Sequence, residues 1–317
     1  MPCYLGIDTS NYTTSASVYD SESGRMLMGK KLLPVKNGEC GLRQSDAVFH
    51  HTQQLSEVIK KLFAEADGCG ISAVGVSSRP RDAEGSYMPC FTVGLNAASI
   101  ISSVNKLPLY AFSHQSGHIA AALYSSGKTE LLNERFLAFH VSGGTTEAVI
   151  SQPDDERIIS VSLAAKTLDL NAGQLIDRVG VMLGLPFPCG MELERLAAAN
   201  TEKLRGIRPT LKGADCCLSG VENICRKAYE NGASKEYTAS LCLGYVEAVI
   251  EKMCKAVLEE KGEMPVVFAG GVMSDRIIRD QLASQFDAYF AEPAYSADNA
   301  SGIAYLCSIM HNKEICC

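Results

Sequence analysis

The chain has 317 residues, 46% of them hydrophobic and 21% charged, which suits a globular protein with room for two domains and excludes a disordered or fibrous one. No apolar stretch is long enough to cross a bilayer as a helix, and MPCYLGIDTS leads almost directly into a strand with no basic and apolar leader, so a cytoplasmic, non-membrane protein is expected. The net charge of −7 does not by itself suggest a nucleic-acid partner; the local candidate is Lys203, Arg205, Arg208 and Lys212, a run that reads equally well as a solvated charged loop.

Residues 3–9 form a short apolar strand, residues 14–20 alternate as a second, and SESG supplies a turn before RMLMGKKLL. A helix over 46–66, a buried strand SAVGVSS, a helix around 92–105 and a strand LPLYAFS follow. The second half repeats this plan. FLAFHVSGG is a strand ending in a glycine turn, TEAVIS is its hairpin partner and RIISVSLAA is a third strand. Helices around 171–184 and 237–260, the strand VVFAGG, a helix from Ser274, the strand AYFAEP and a closing helix from Asp298 complete the chain. A duplicated three-strand meander followed by helices and parallel strands implies two similar α/β lobes with a ligand cleft between them. The expected boundary separates residues 1–112 from 113–317, with the last helix packing back on the first lobe.

The 13 cysteines include no CxxC pair, which argues against a zinc ribbon or a thioredoxin-like site. They read as small buried hydrophobes in a reducing compartment.

Three segments carry chemistry. Gly143 and Gly144 end one strand and Gly270 and Gly271 end another; glycines at such positions let a phosphate approach the backbone. Neither matches a P-loop or GxGxxG. In SHQSGH, His114 and His118 lie four apart and share one face of a helix that Ser113 can cap. Such a pair is more often structural than metal-binding, but with Asp298 of YSADNAS as a third ligand it would leave coordination positions open for substrate. In TLDLNAGQLIDRVGVMLGLPFPCG, Asp169 and Asp177 are eight apart, near one face if both are helical, or else ordinary surface charges. Gly173 between them implies that the helix starts after it or that a ligand comes close, and Gly190 is expected to end the segment in a turn.

These motifs, in this order, resemble the TsaD/Gcp family of tRNA threonylcarbamoyltransferases. The likeness covers nearly the whole chain through LGIDTS, SHQSGH, VSGGTT, LDLNAGQLIDRVGVMLGLPFPCG, LSGVEN, FAGGVMSDR and ADNASGIA. It implies an actin-like (ASKHA) α/β fold and a divalent metal, iron or zinc with magnesium also compatible, held by His114, His118 and Asp298. It also implies ATP, AMP or an acyl-adenylate contacted by Val141, Ser142, Gly143, Gly144, Thr145, Asp177 and Gly190. Gly270, Gly271 and Asp275 join that set, Asp275 standing where the family has Asn, and Asp8, Ser10, Asp169 and Gly173 are secondary candidates. The implied reaction moves a threonylcarbamoyl group from its mixed anhydride with AMP to N6 of a tRNA adenosine, in company with small partner proteins. No protein nucleophile is required and none is evident.

Three segments depart from the family pattern. Asp8-Thr9-Ser10-Asn11-Tyr12-Thr13-Thr14 replaces an acidic hairpin, Thr145 replaces a histidine, and Ser78-Arg79-Pro80-Arg81-Asp82 replaces a glycine-rich turn. They suggest a paralogue with a different acceptor or acyl group, and Arg79 and Arg81 are candidates for an anion contact or an ordinary charged loop. A small-molecule kinase or ATPase of the same fold and a non-catalytic complex partner are the competing expectations.

Overall fold

The computed structural model describes residues 2–10, 12–34, 42–66, 68–296 and 299–316. β1 (Pro2–Asp8), β2 (Thr13–Asp20) and β3 (Arg25–Leu32) form an antiparallel meander. Helix α1 (Gln44–Glu65), β4 (Gly70–Arg79), α2 (Phe91–Asn105), β5 (Leu109–Ser113) and α3 (His114–Ser126) follow. After a short 3-10 turn at Thr129–Asn133, a second meander is made by β6 (Phe136–Val141), β7 (Thr146–Asp154) and β8 (Ile158–Lys166). Then come α4 (Ala172–Met182), α5 (Gly190–Ala198), the two-residue ladder β9 (Leu211–Lys212) and β10 (Asp215–Cys216), and α6 (Ser219–Glu230). Helix α7 (Lys235–Lys261), β11 (Val266–Ala269), α8 (Arg276–Ala283), β12 (Ala288–Phe290) and α9 (Ala300–Cys316) close the chain.

The two large sheets have orders β3-β2-β1-β4-β5 and β8-β7-β6-β11-β12. In both, the first strand of the meander pairs antiparallel with the second and parallel with the strand that follows. The duplication read from the motifs is therefore present in the strand order. Ladders of this kind need a helical crossover between the parallel strands, which α1 supplies in the first sheet and α4 to α7 supply in the second.

Two compact units result. Unit 1 comprises residues 1–134, 152–161 and 297–317, and unit 2 comprises 135–151 and 162–296. Helix α3, assigned to the second lobe in the sequence reading, falls in unit 1, because it packs against α9. Two other expectations are corrected by the structure. Asp169 precedes α4 and only Asp177 lies on it, so the two do not share a helix face; and Gly190 opens α5 where a turn was expected. Helices α5 and α6 were not anticipated.

Glycines decide how α9 seats in unit 1. Gly6 and Gly75 are register partners on β1 and β4. A Cβ on Gly75 would lie 2.8 Å from Cys307 Cβ, and one on Gly6 would lie 2.5 Å from the Ala304 amide. Helix α9 thus lies directly on the sheet, on the face opposite α1 and α2, which leaves every residue from Cys3 to Asp8 buried. Where α9 meets α3, a Cβ on Gly302 would overlap the Gly117 carbonyl oxygen, so the two helices touch backbone to backbone. Unit 2 has its own core around Phe139, Leu175, Val246, Met253 and Phe268. Among the described cysteines none is in a disulfide, and Cys3, Cys90, Cys189, Cys225, Cys242, Cys254 and Cys307 are buried.

Candidate functional site

In unit 1 the SHQSGH segment folds as expected: Ser113 caps α3, its hydroxyl accepting from the Ser116 amide at 3.1 Å. The His114 and His118 rings stand edge to face with centroids 4.6 Å apart. Behind them, at the end of β1, Asp8 receives His114 Nδ1 at 2.8 Å, the Ser77 hydroxyl at 2.6 Å and the Ser10 amide at 2.7 Å. Burial alone would raise the Asp8 pKa; attraction to the His114 ring and these three hydrogen bonds outweigh it and hold the carboxyl at about 2. Asp8 is thus an ionised carboxylate that fixes one imidazole. Asp8 is a secondary candidate by resemblance, and nothing in its local sequence connects it with His114.

Asn299, at the foot of α9, brings its Nδ2 within 2.9 Å of His114 Nδ1 and 3.2 Å of Nε2, while its Oδ1 is buried with no hydrogen-bond partner among the described residues. Asp298 lies outside the described residues. A proton on Nδ1 donated to Asp8 would make Nε2 the ring's acceptor, the atom that Asn299 Nδ2 approaches at 3.2 Å and that a ligand would have to take over from it. Two imidazoles on one helix face, a carboxylate that orients the first and an orphaned amide oxygen beside it suit a divalent metal. Among the described residues no three His, Cys, Asp or Glu side chains converge as a complete ligand set.

The segment carrying Arg79 has a structural role. Arg79 Nη2 and Nε meet Asp82 Oδ1 at 2.6 and 3.1 Å, and Asp82 Oδ2 accepts from the Ser113 and Ser116 hydroxyls at 3.0 Å each. This clamp ties the end of β4 to the first turn of α3. The Asp82 side chain is 3% exposed, and Arg79 spends its charge on it and not on an external anion.

In unit 2 the SGG turn is folded by its own serine, since Ser142 Oγ accepts from the Gly144 and Thr145 amides at 3.3 and 3.2 Å. Those two amides are therefore engaged locally. A side chain at Gly143, Gly144, Gly190 or Gly271 would meet no atom within 4 Å, so this backbone is open to a ligand. Gly173 behaves otherwise: a Cβ there would stand 2.6 Å from the Gly143 amide nitrogen, and its own amide donates to the Ser142 carbonyl at 3.2 Å. The close approach inferred at Gly173 is made by the SGG turn itself, onto the first turn of α4. The Ala172 amide donates to Thr146 Oγ1 at 2.9 Å, and Asn171 and Gln174 close a capping box. Gly270, at φ +100°, abuts the Val141 carbonyl and brings the start of the 3-10 turn Gly271–Ser274 beside the same strand end.

The carboxylates of unit 2 hold backbone. Asp177 accepts the Cys189 amide at 2.8 Å, which fastens the approach to α5, and burial raises its pKa. Asp169 accepts the Leu218 and Ser219 amides at 2.7 and 3.2 Å and the Ser219 hydroxyl at 2.6 Å; these bonds outweigh burial and lower its pKa. LSGVEN is thereby joined to LDLN, a contact across 49 residues that local pattern does not reveal. Asp275 caps α8 by accepting the Ile277 and Ile278 amides, yet burial, with the charge of Glu194 added, pushes its carboxyl up to about 6.

Two lobes of one strand order, with glycine turns at the end of β6 and after β11 and a His pair at the start of α3, define an actin-like α/β protein. One solved structure of this class is HypF in a phosphate- and nucleotide-bound form; the likeness has a TM-score of 0.61 at 15% identity and covers 99% of this chain and 56% of that one. Residues 37–305 match the TsaD family, tRNA N6-adenosine threonylcarbamoyltransferase, and the chain belongs to that family. It is 26% identical to a "Probable bifunctional tRNA threonylcarbamoyladenosine biosynthesis protein" of Thermoplasma acidophilum, a match covering 98% of this chain and 56% of the relative. It is 27% identical to a tRNA N6-adenosine threonylcarbamoyltransferase of Halalkalibacterium halodurans, covering 98% and 91%. The chain spans about half the length of the bifunctional relatives it matches. No helix among the described residues is long and apolar enough to cross a membrane.

Proposed function

We propose that this chain transfers a threonylcarbamoyl group, or a related carbamoyl or acyl group, from its mixed anhydride with AMP to N6 of an adenosine in tRNA. The observation that carries this reading is the His114–His118 pair with ionised Asp8 behind it, in a chain of the TsaD family. His114, His118 and, by family resemblance, Asp298 would hold a divalent metal, iron or zinc in preference to magnesium because two of the donors are imidazoles. When bound, such an ion polarises phosphoryl and carbonyl oxygens and offsets developing negative charge.

The chain's own residues do the rest. Asp8 orients the His114 ring, and the Arg79–Asp82 clamp holds the first turn of α3. The open backbone at Gly143, Gly144 and Gly271 admits the adenylate closely, while Ser142 Oγ holds the turn in shape by accepting from the Gly144 and Thr145 amides. In the transfer the N6 lone pair attacks the carbamoyl carbon and the bond from that carbon to the phosphate oxygen breaks. AMP leaves with the electron pair, and one N6 proton passes to solvent.

The test is to incubate the protein with threonine, bicarbonate, ATP, an adenylate-forming partner enzyme and unmodified tRNA, then measure nucleoside masses. Modified adenosine is expected. Its absence beside a competent control enzyme would favour a paralogue with a different acceptor or acyl group, a reading supported by the Arg79–Asp82 clamp where the family has a glycine-rich turn. Steady ATP hydrolysis or phosphorylation of a small molecule would instead indicate an ATPase or kinase.

A further inference from the structure

The basic run after α5 is a built surface. Residues 203–213 hold Lys203, Arg205, Arg208 and Lys212 and no carboxylate, within a chain of net charge −7. Exposure along the run divides by residue type. Lys203, Arg205, Arg208 and Lys212 are exposed, whereas Leu204, Ile207, Pro209 and Leu211 turn partly inward. The inward residues pack against α7 at Gly244, where a Cβ would stand 2.9 Å from both Leu204 Cδ1 and Ile207 Cδ1. Tyr245 donates its hydroxyl to the Gly206 carbonyl at 3.1 Å, Lys252 donates to the Pro209 carbonyl at 3.4 Å, and the Cys217 amide donates to the Thr210 carbonyl at 3.3 Å. Lys252 thereby adds a fifth cation to the strip.

None of the five forms an ion pair with a described residue, although Arg178, Arg195, Arg226 and Lys255 of the same unit do. Of the carboxylates nearby, Glu202 is exposed beside Lys203 outside the strip, and the others are engaged or weakened. Asp215, the cross-strand neighbour of Lys212, accepts the Lys166 amide at 2.8 Å. On α7, Glu251 pairs with Lys255, and burial together with the charge of Glu251 pushes Glu247 up to about 7. Beyond the far end of the segment, Leu218 and Ser219 are fastened to Asp169.

Unpaired, anchored cations spaced at most about 10 Å apart for each three residues of chain are within reach of the phosphates of a polynucleotide. We infer that Lys203, Arg205 and Arg208, extended by Lys212 and Lys252, form a contact strip for the phosphate backbone of RNA. This inference rests on the reading of tRNA as the acceptor and adds where that acceptor is held.

The experiment measures binding of an unmodified tRNA transcript to the full chain at several salt concentrations. It compares the wild type with K203Q/R205Q/R208Q and with the charge-keeping R205K/R208K, and titrates AMP against each as a check on folding. The triple variant is expected to bind tRNA at least about tenfold more weakly near 0.1 M salt. Its slope of log affinity against log salt should be shallower by about 2 to 3, with AMP binding unchanged and with R205K/R208K like the wild type. Equal affinity and slope for the wild type and the triple variant would overturn the strip while leaving tRNA as the acceptor. Failure of the wild type to bind tRNA, or its binding phosphatidylserine vesicles in preference, would overturn both.

Discussion

At the scale of single residues, buried carboxylates do the most work, and each leads to a distinct test. Asp8→Asn keeps the volume and removes the charge behind His114. Because a partner of this kind orients a ligating ring, metal affinity should fall roughly 10- to 100-fold, as read by titration with zinc or iron(II). Asp82→Ala strands the Arg79 guanidinium and releases two serine hydroxyls, so it should lower unfolding free energy by about 2–4 kcal/mol in a urea titration. Asp275 supplies the pH dependence. Its folded-state pKa, about 6, lies above the ordinary carboxylate value, so the folded protein binds the extra proton between roughly pH 4 and pH 6. The stability contribution is therefore full below the ordinary value and is lost as pH rises through about 6. Asp275→Asn retains an N-cap and removes the ionisation. It should flatten that fall and stabilise the protein at pH 7 by on the order of 2 kcal/mol, measured by denaturation at pH 4, 6 and 7.

At the scale of elements, close backbone approaches set the positions. Helix α9 reaches His114 with Asn299 because Gly302 lets it touch Gly117 of α3 and because Gly6 and Gly75 let it lie on the sheet. Gly302→Ala cannot be absorbed by a rotamer change, since the obstacle is a carbonyl oxygen. It should cost more than about 3 kcal/mol, whereas Gly117→Ala, which meets the mobile end of Ile303 first, should cost about 1 kcal/mol. Chemical denaturation of the two variants checks this ordering. The helices that sequence periodicity found were those with long apolar stripes or a good cap, such as α1, α3 and α7. Helices α5 and α6 escaped because they are short, lie beside glycine- and cysteine-rich turns, and bury only two hydrophobic side chains each.

At the scale of the whole molecule, unit 1 carries the imidazole pair and unit 2 the open glycine turns, so each should respond to its own ligand. Amide hydrogen exchange should show zinc protecting β1 and the first turns of α3, and AMP protecting 141–146, 172–176 and 270–278. At one hundred times its dissociation constant either ligand adds about 2.7 kcal/mol of stability. Protection confined to one unit by both ligands would contradict this assignment.

The order of elements, the doubled strand plan, the capped His pair and the glycine turns were all written in short stretches of sequence, where periodicity, turn chemistry and spacing act within a few residues. The partners of those stretches were not. Asp8 meets His114 across 106 residues, Asp169 meets Ser219 across 50, and Gly173 meets the SGG turn where a bound ligand had been the alternative. Such pairings depend on which strand lies beside which and on where a missing Cβ lets two backbones touch. Those facts arise only when the sheets and helices pack, and local pattern carries no record of them.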